Sequence, residues 1–166
     1  MSWSLFKTKC MVLTGPQHIS VQQFSQTIAD AYHQTVLLHF DSMTAGGKVI
    51  NSAPKFPILF QQIMGQCQSN LNSNGASVNL LQQIGPMIQN YWTSLSITGP
   101  TGYIVISSPG SWIGMDVAPN TNFNIMVDTM IICFKVHITT LVGVYTSSVL
   151  PGVISPWSGA LLQTTP

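Results

Sequence analysis

Apolar residues recur at helical spacing in four stretches of the chain and lose that spacing elsewhere. The first stretch opens with Ser20-Val21-Gln22-Gln23, a capping box in which Ser20 accepts from the amide of Gln23 and the Gln23 side chain reaches back. Val21, Phe24, Ile28 and Ala31 follow on one face, with the run Val36-Leu37-Leu38 beyond them, so a helix is expected over 21–40. Thr44-Ala45-Gly46-Gly47 ends it. The second stretch is the clearest. Pro57 suits a first helical turn, and Phe56, Leu59, Phe60, Ile63, Met64, Cys67 and Leu71 form a stripe with glutamines between them, giving a helix over 57–72. The third carries Leu80, Leu81, Ile84, Met87, Ile88, Tyr91 and Trp92 over 78–94, with Gly85-Pro86 kinking or restarting it.

The fourth stretch, 123–148, is the most apolar. Val127, Met130, Ile131, Phe134, Ile138, Leu141, Val142 and Tyr145 make a wide helical face behind a cap at Asn122. Its β-branched residues and the alternation from Phe134 to Thr139 keep a strand pair open as an alternative. Between the third and fourth stretches, residues 95–121 are rich in Gly, Pro, Ser and Thr and read as an irregular connector, with one short strand possible at Tyr103-Ile104-Val105-Ile106. The end, 150–166, contains Pro151, Pro156 and Pro166 and reads as an extended arm. The expectation is a mainly α single domain of about four helices over 1–149, with a Gly/Pro-rich connector and extended terminal arms.

Composition changes this picture in one respect. Hydrophobic residues make up 45% of the 166 residues, but Lys, Arg, Asp and Glu only 5%, against about a quarter in ordinary soluble domains. The charges are five lysines and four aspartates, with no Arg and no Glu. A folded chain of 18.0 kDa should expose about 8,000 Å², which leaves roughly one charge per 900 Å². Net charge is +1, too small to hold copies apart by repulsion. Such a surface suits burial against protein. Five scattered lysines offer no basic stripe for phosphates, so nucleic acid is not an expected partner. Cys10, Cys67 and Cys133 are odd in number and form no CxxC pair, so they are expected as reduced, buried small hydrophobes. The run after Lys7 and Lys9 is too short for a secretory signal.

Several phrases carry a resemblance: Ser2-Trp3-Ser4-Leu5-Phe6-Lys7, Ile84-Gly85-Pro86 through Tyr91-Trp92-Thr93, and Pro109-Gly110-Ser111-Trp112. His137-Ile138-Thr139-Thr140-Leu141 with Gly143-Val144-Tyr145, and Pro156-Trp157-Ser158-Gly159, complete them. In that order they resemble a group of small virion structural proteins of T-even-like tailed phages, notably marine and cyanobacterial ones. The resemblance implies a tail, baseplate or capsid component, folded in the host cytoplasm, with other virion proteins and copies of itself as partners. It brings no catalytic residue, cofactor or metal.

Candidate chemistry is sparse. Asp30 and His33 lie three apart on the first expected helix, with His39 and Asp41 near its end, but six residues between His33 and His39 put them on different faces. A solvated polar face is the expected role. Asp128 and Lys135 interrupt the fourth stretch on one face and are spaced to meet other partners rather than each other. Gly110-Ser111-Trp112-Ile113-Gly114 is not a nucleophile elbow, because the serine follows the first glycine directly. Trp92 continues a helical stripe. Trp3, Phe6, Trp112 and Trp157 lie in terminal or Gly/Pro-rich segments, where an aromatic ring either packs locally or anchors an interface, and they are the expected interface anchors. The expected function is therefore a non-catalytic structural subunit. One alternative is a membrane-active or pore-forming protein using 123–150, although ionisable groups near the middle argue against lipid exposure. Another is a small binding module or enzyme with a pocket near His33 and Asp30.

Overall fold

The capping box at Ser20 forms as expected. The Gln23 amide donates to Ser20 Oγ at 3.1 Å and the Ser20 amide to Gln23 Oε1 at 3.1 Å. Both satisfy donors that a helix start leaves open. In the computed structural model, which describes residues 3–15, 18–44, 48–50, 55–72, 80–117 and 121–163 (without the side chains of 40–44, 48–50, 162 and 163), this box starts α2, Val21–Thr44. Before it come α1, Ser4–Cys10, and a short 3-10 helix, Met11–Thr14. Two further helices follow: α3, Lys55–Asn72, and α4, Leu80–Trp92 with Pro86 inside it. Lys55 Nζ donates to the carbonyls of Thr93 at 2.7 Å and Asn90 at 3.3 Å, closing the C-terminal end of α4. The last helix, α5, spans Phe123–Thr139 and is capped by Asn122, whose Oδ1 accepts from the Asn124 amide at 2.8 Å.

The other half of the fold is a sheet. Strands β1 (Lys48–Ile50), β2 (Ser96–Gly99), β3 (Gly102–Ser108), β4 (Val142–Ser147) and β5 (Ile154–Ser158) pair antiparallel in the order β1-β2-β3-β4-β5. Helix α5 is inserted between β3 and β4 without disturbing that order. The register aligns Ile97, Ile104 and Tyr145 across β2, β3 and β4, and Gly143 beside Trp157 on β5. Ile97, Ile104, Ile106 and Trp157 join Phe6, Tyr32, Ile88, Trp92 and Phe134 of the helices in one buried cluster. The helices thus form one layer, and one face of the sheet closes the core beneath it.

This corrects the expected mainly α fold of four helices to a mixed α/β one, with five α-helices and a five-stranded sheet among the described residues. The departures fall in five places. The N-terminal segment, expected as an extended arm, is α1 and the short 3-10 helix, and Lys48–Ile50, in the expected loop after the first helix, is β1. The connector 95–121 holds the β2–β3 hairpin. The stretch 123–148 is a helix followed by a strand, because the helix stops at Thr139 without Gly or Pro. The stop comes from Thr140, whose hydroxyl donates to the His137 carbonyl at 2.6 Å and accepts from the Ser111 amide at 2.8 Å. A connector residue thereby helps to end the helix, a tertiary cause that local sequence does not display. Finally, 150–163 is no detached arm, since β5 pairs along the length of β4. Expected helix ends moved by a few residues elsewhere. Residues 78 and 79, where the third helix was expected to begin, lie outside the described residues.

Candidate interaction surface

Alternation along a strand sends successive side chains to opposite faces, and an antiparallel sheet with one face on a core usually turns a polar face outward. Here the outward positions are uncharged, and apolar residues alternate among Ser96, Thr98, Ser107, Thr146 and Ser158. Tyr103 and Val105 of β3, Val142 and Val144 of β4 and Ile154 of β5 are between 37% and 66% exposed. Register sets them side by side: Val105 faces Val144, which faces Pro156, and Tyr103 faces Thr146, which faces Ile154. Across the four strands β2 to β5 there is no Asp, Glu, Lys, Arg or His. The patch continues past the sheet into the β4–β5 turn, where Val149, Leu150 and Val153 are exposed. Four strands about 4.8 Å apart, each with about six residues rising 3.4 Å, cover about 400 Å² in projection. Side-chain relief brings the accessible area of the whole face, its Ser and Thr positions included, to about 600 Å². A second, smaller stripe lies on the outer side of α5, where Ile125, Ile132 and Val136 are exposed.

The residues expected as interface anchors lie elsewhere. Trp3 is 4% exposed, Phe6 0% and Trp157 5%. Trp3 stacks on Phe134 with ring centroids 5.3 Å apart, and Phe6 meets the same ring edge-on at 5.2 Å. Trp112 is half-buried, donates from Nε1 to the Leu81 carbonyl at 2.9 Å, and lies 5.8 Å from Phe134 and from His137. The four rings therefore fasten the N-terminal segment, the connector and β5 to the chain's own core. Local packing was the other reading open to these residues, and within this chain it is the one they adopt. A terminal or Gly/Pro-rich position does not separate the two outcomes, because both want an aromatic in an irregular segment.

Gly85 shows how tightly the connector is held. A Cβ at this position would overlap the Trp112 ring. On helix propensity alone, Gly85→Ala should stabilise by about 1 kcal/mol. Overpacking against Trp112 should instead make it destabilising by about 2 kcal/mol. In a Trp112→Ala background the sign should reverse, because the obstacle is gone. Denaturant unfolding of the four proteins in that cycle checks this; additive effects would show that Trp112 does not occupy the site.

The same connector is strapped to α5. His137, fully buried, holds the Pro109 carbonyl at 2.8 Å through Nε2, which must therefore carry the proton. Gly110 next to it has a φ of 77°, and a Cβ there would meet Thr140 Oγ1 at 2.7 Å. Gln89 of α4 donates to the Gly110 carbonyl at 2.8 Å. Burial of His137 lowers its pKa to about 4 against the pull of the Pro109 hydrogen bond.

Several other polar groups are engaged in the fold. Asp30 Oδ2 accepts from Lys9 Nζ at 2.6 Å, and Asp128 Oδ1 from Lys7 Nζ at 2.7 Å, both near the surface. Pairs exposed to this degree contribute about 0–1 kcal/mol each. His33 Nδ1 shares a hydrogen bond of 2.8 Å with the Tyr91 hydroxyl, and burial lowers its pKa while the nearby Asp30 raises it. Trp92 Nε1 donates to the Tyr32 hydroxyl at 2.7 Å. An open groove of about 620 Å³ is lined by Lys9, Val12, Leu13, His18, Gln23 and Asp30 among others, but not by His33. Its one charged pair is already internally matched. Burial raises the thiol pKa of Cys10 to about 12 and those of Cys67 and Cys133 above the ordinary value, which keeps all three protonated near neutrality. Among the described residues, no group of three or more His, Cys, Asp or Glu is placed to hold a metal ion. The side chain of Asp41 lies outside the described residues.

The separation of 123–139 from 142–147 also bears on the membrane alternative. Among the described residues, no helix is long and apolar enough to cross a bilayer. The feature that stands out is the uncharged apolar sheet face, and sequence reasoning passed over it for the tryptophans. Compared with known protein families, curated proteins and solved structures, the chain matches none.

Proposed function

We propose that this chain is a non-catalytic structural subunit of a viral particle, a tail, baseplate or capsid component of a tailed phage, working by permanent packing against other virion proteins and copies of itself. The observation that carries the reading is the exposed, uncharged apolar face of β2 to β5 on a chain with only 5% charged residues. The phage setting rests on the short phrases at Ser2–Lys7, Pro109–Trp112 and Pro156–Gly159 that resemble small virion proteins.

Magnitudes favour many contacts over one. Burying about 400 Å² of apolar area on each copy yields about 10 kcal/mol per copy at 25 cal/mol per Å². Association itself costs about 4–15 kcal/mol, so one face supports a moderate pairing. The β4–β5 turn and the α5 stripe supply further apolar surface, which suits a subunit held from several sides. The titratable side chains support the non-catalytic part. Asp30, Asp128, His33 and His137 are each engaged in an ion pair or hydrogen bond within the fold. Quantitative mass spectrometry of particles purified from infected cells tests the reading. The chain should appear at a fixed whole-number ratio to the other particle proteins. Its absence from purified particles would reject the proposal.

A further inference from the structure

We propose that the outer face of the sheet packs against the same face of a second copy, forming a two-fold dimer with helices outside and two sheets inside. This rests on the reading that the apolar surface is an interface between proteins, and it names the face and the partner.

Three observations select a second copy. First, the face is neutral across β2 to β5, which carry no Asp, Glu, Lys, Arg or His, and Lys48 of β1, in register with Thr98, stands at its rim. A surface meant for a charged partner would carry the opposite charge, whereas a two-fold contact brings each group near its own copy and favours a face with none. Net charge of +1 adds no long-range repulsion. Second, the area matches. About 600 Å² from each copy gives about 1,200 Å² in all, the lower end of specific interfaces. Sheets facing each other this way pack about 10 Å apart with strands crossed by about 30°. Tyr103 is flanked in register by Thr98 and Thr146, and this mixture of large and small side chains suits interdigitation.

Third, the free edges are poor sites for the competing mode, strand addition. The Ser147 amide bonds the Val153 carbonyl and the Gly159 amide the Leu141 carbonyl. Hydrogen-bonded pairs alternate along an antiparallel ladder, so with Val144 opposite Pro156 the backbone of Pro156 turns to the open edge. Proline has no N–H to offer there, which interrupts the row a new strand would need. At the other edge β1 presents three described residues, one of them Lys48, a charge that a pairing strand would have to accommodate. The face is left as the open route.

Sedimentation equilibrium of the full chain up to about 100 µM should return twice the chain mass. Val144→Lys, in the middle of the face, should weaken dimerisation at least about 100-fold and give a monomer with an unchanged far-UV spectrum. Val144→Thr keeps strand propensity and should weaken it about 10-fold, which keeps the test informative if the lysine variant does not fold. Ile132→Lys, on the outer side of α5, should leave the dimer intact. A monomeric wild-type chain at the highest concentration overturns the proposal. So does an oligomer that Ile132→Lys disperses and the Val144 variants do not. A chain monomeric in solution yet present in particles would remove this dimer and leave the subunit reading standing; a dimer absent from particles would do the reverse.

Discussion

Phe134→Ala should lower stability by about 3–5 kcal/mol, the largest loss expected from any single truncation in this chain. Phe134 is fully buried and its ring is where separate parts of the fold meet. Trp3 stacks on it at 5.3 Å, Phe6 approaches edge-on at 5.2 Å, Tyr32 of α2 lies 4.8 Å away and Trp112 of the connector 5.8 Å. Truncation removes the transfer free energy of the ring and leaves a cavity lined by stiff aromatics that collapse poorly into it. For a chain of this length the melting temperature should fall by roughly 10 °C. Phe123→Ala supplies the contrast. Phe123 is half-buried at the start of the same helix, its ring 6.4 Å from Phe24, and its loss should cost only about 1 kcal/mol. Equal losses for the two variants, measured by denaturant unfolding, would mean that Phe134 does not join these segments.

That hub also shows what the sequence could and could not disclose. The stripes of α3 and α4 were legible, because each buries one face and exposes a polar one. Ser20 and Asn122 were legible as caps, since their partners are within three residues. Of the sheet only a short strand at Tyr103–Ile106, the middle of β3, was legible, for a physical reason tied to the surface described above. A strand is recognised by alternation of apolar and polar residues. In β3 and β4 the outward Tyr103, Val105, Val142 and Val144 are as apolar as the inward residues, and only Ser107 and Thr146 mark the outer face, so the alternation is weak. Val142 and Tyr145 then fell by chance at helical spacing behind α5, and the segment read as one long helix. β5 was hidden differently. Pro156 usually argues against a strand, yet an edge position tolerates it because the missing N–H would have pointed away from the sheet. The feature that obscured the fold is therefore the same one that forms the candidate interface. Low charge content was visible from composition, but its location on one sheet face required the register.

Acidification should destabilise the protein between pH 6.5 and pH 4 by on the order of 3 kcal/mol, with His137 as the principal cause. With Nε2–H committed to the Pro109 carbonyl, the other ring nitrogen, Nδ1, is buried without a hydrogen-bond partner. A proton added there would bring a charge into a dry site. The residues around the ring, Pro109, Gly110, Trp112 and Thr140, offer no carboxylate to receive it. Burial accordingly holds the folded-state pKa at about 4, whereas the unfolded chain titrates near 6.5. Above pH 6.5 both states are neutral and the contribution is complete. As pH falls the unfolded state takes up the proton first, so stability drops until about pH 4, below which both states are charged. His33, also lowered by burial, acts in the same direction. His137→Gln retains an amide donor for Pro109 but no titration, so it should start less stable at pH 7 and lose less on acidification. Melting temperatures of both proteins from pH 7.5 to 4 decide the matter. Parallel curves would show that the imidazole is not held neutral, and that the strap from Pro109 to Trp112 is fastened to α5 by something other than this hydrogen bond.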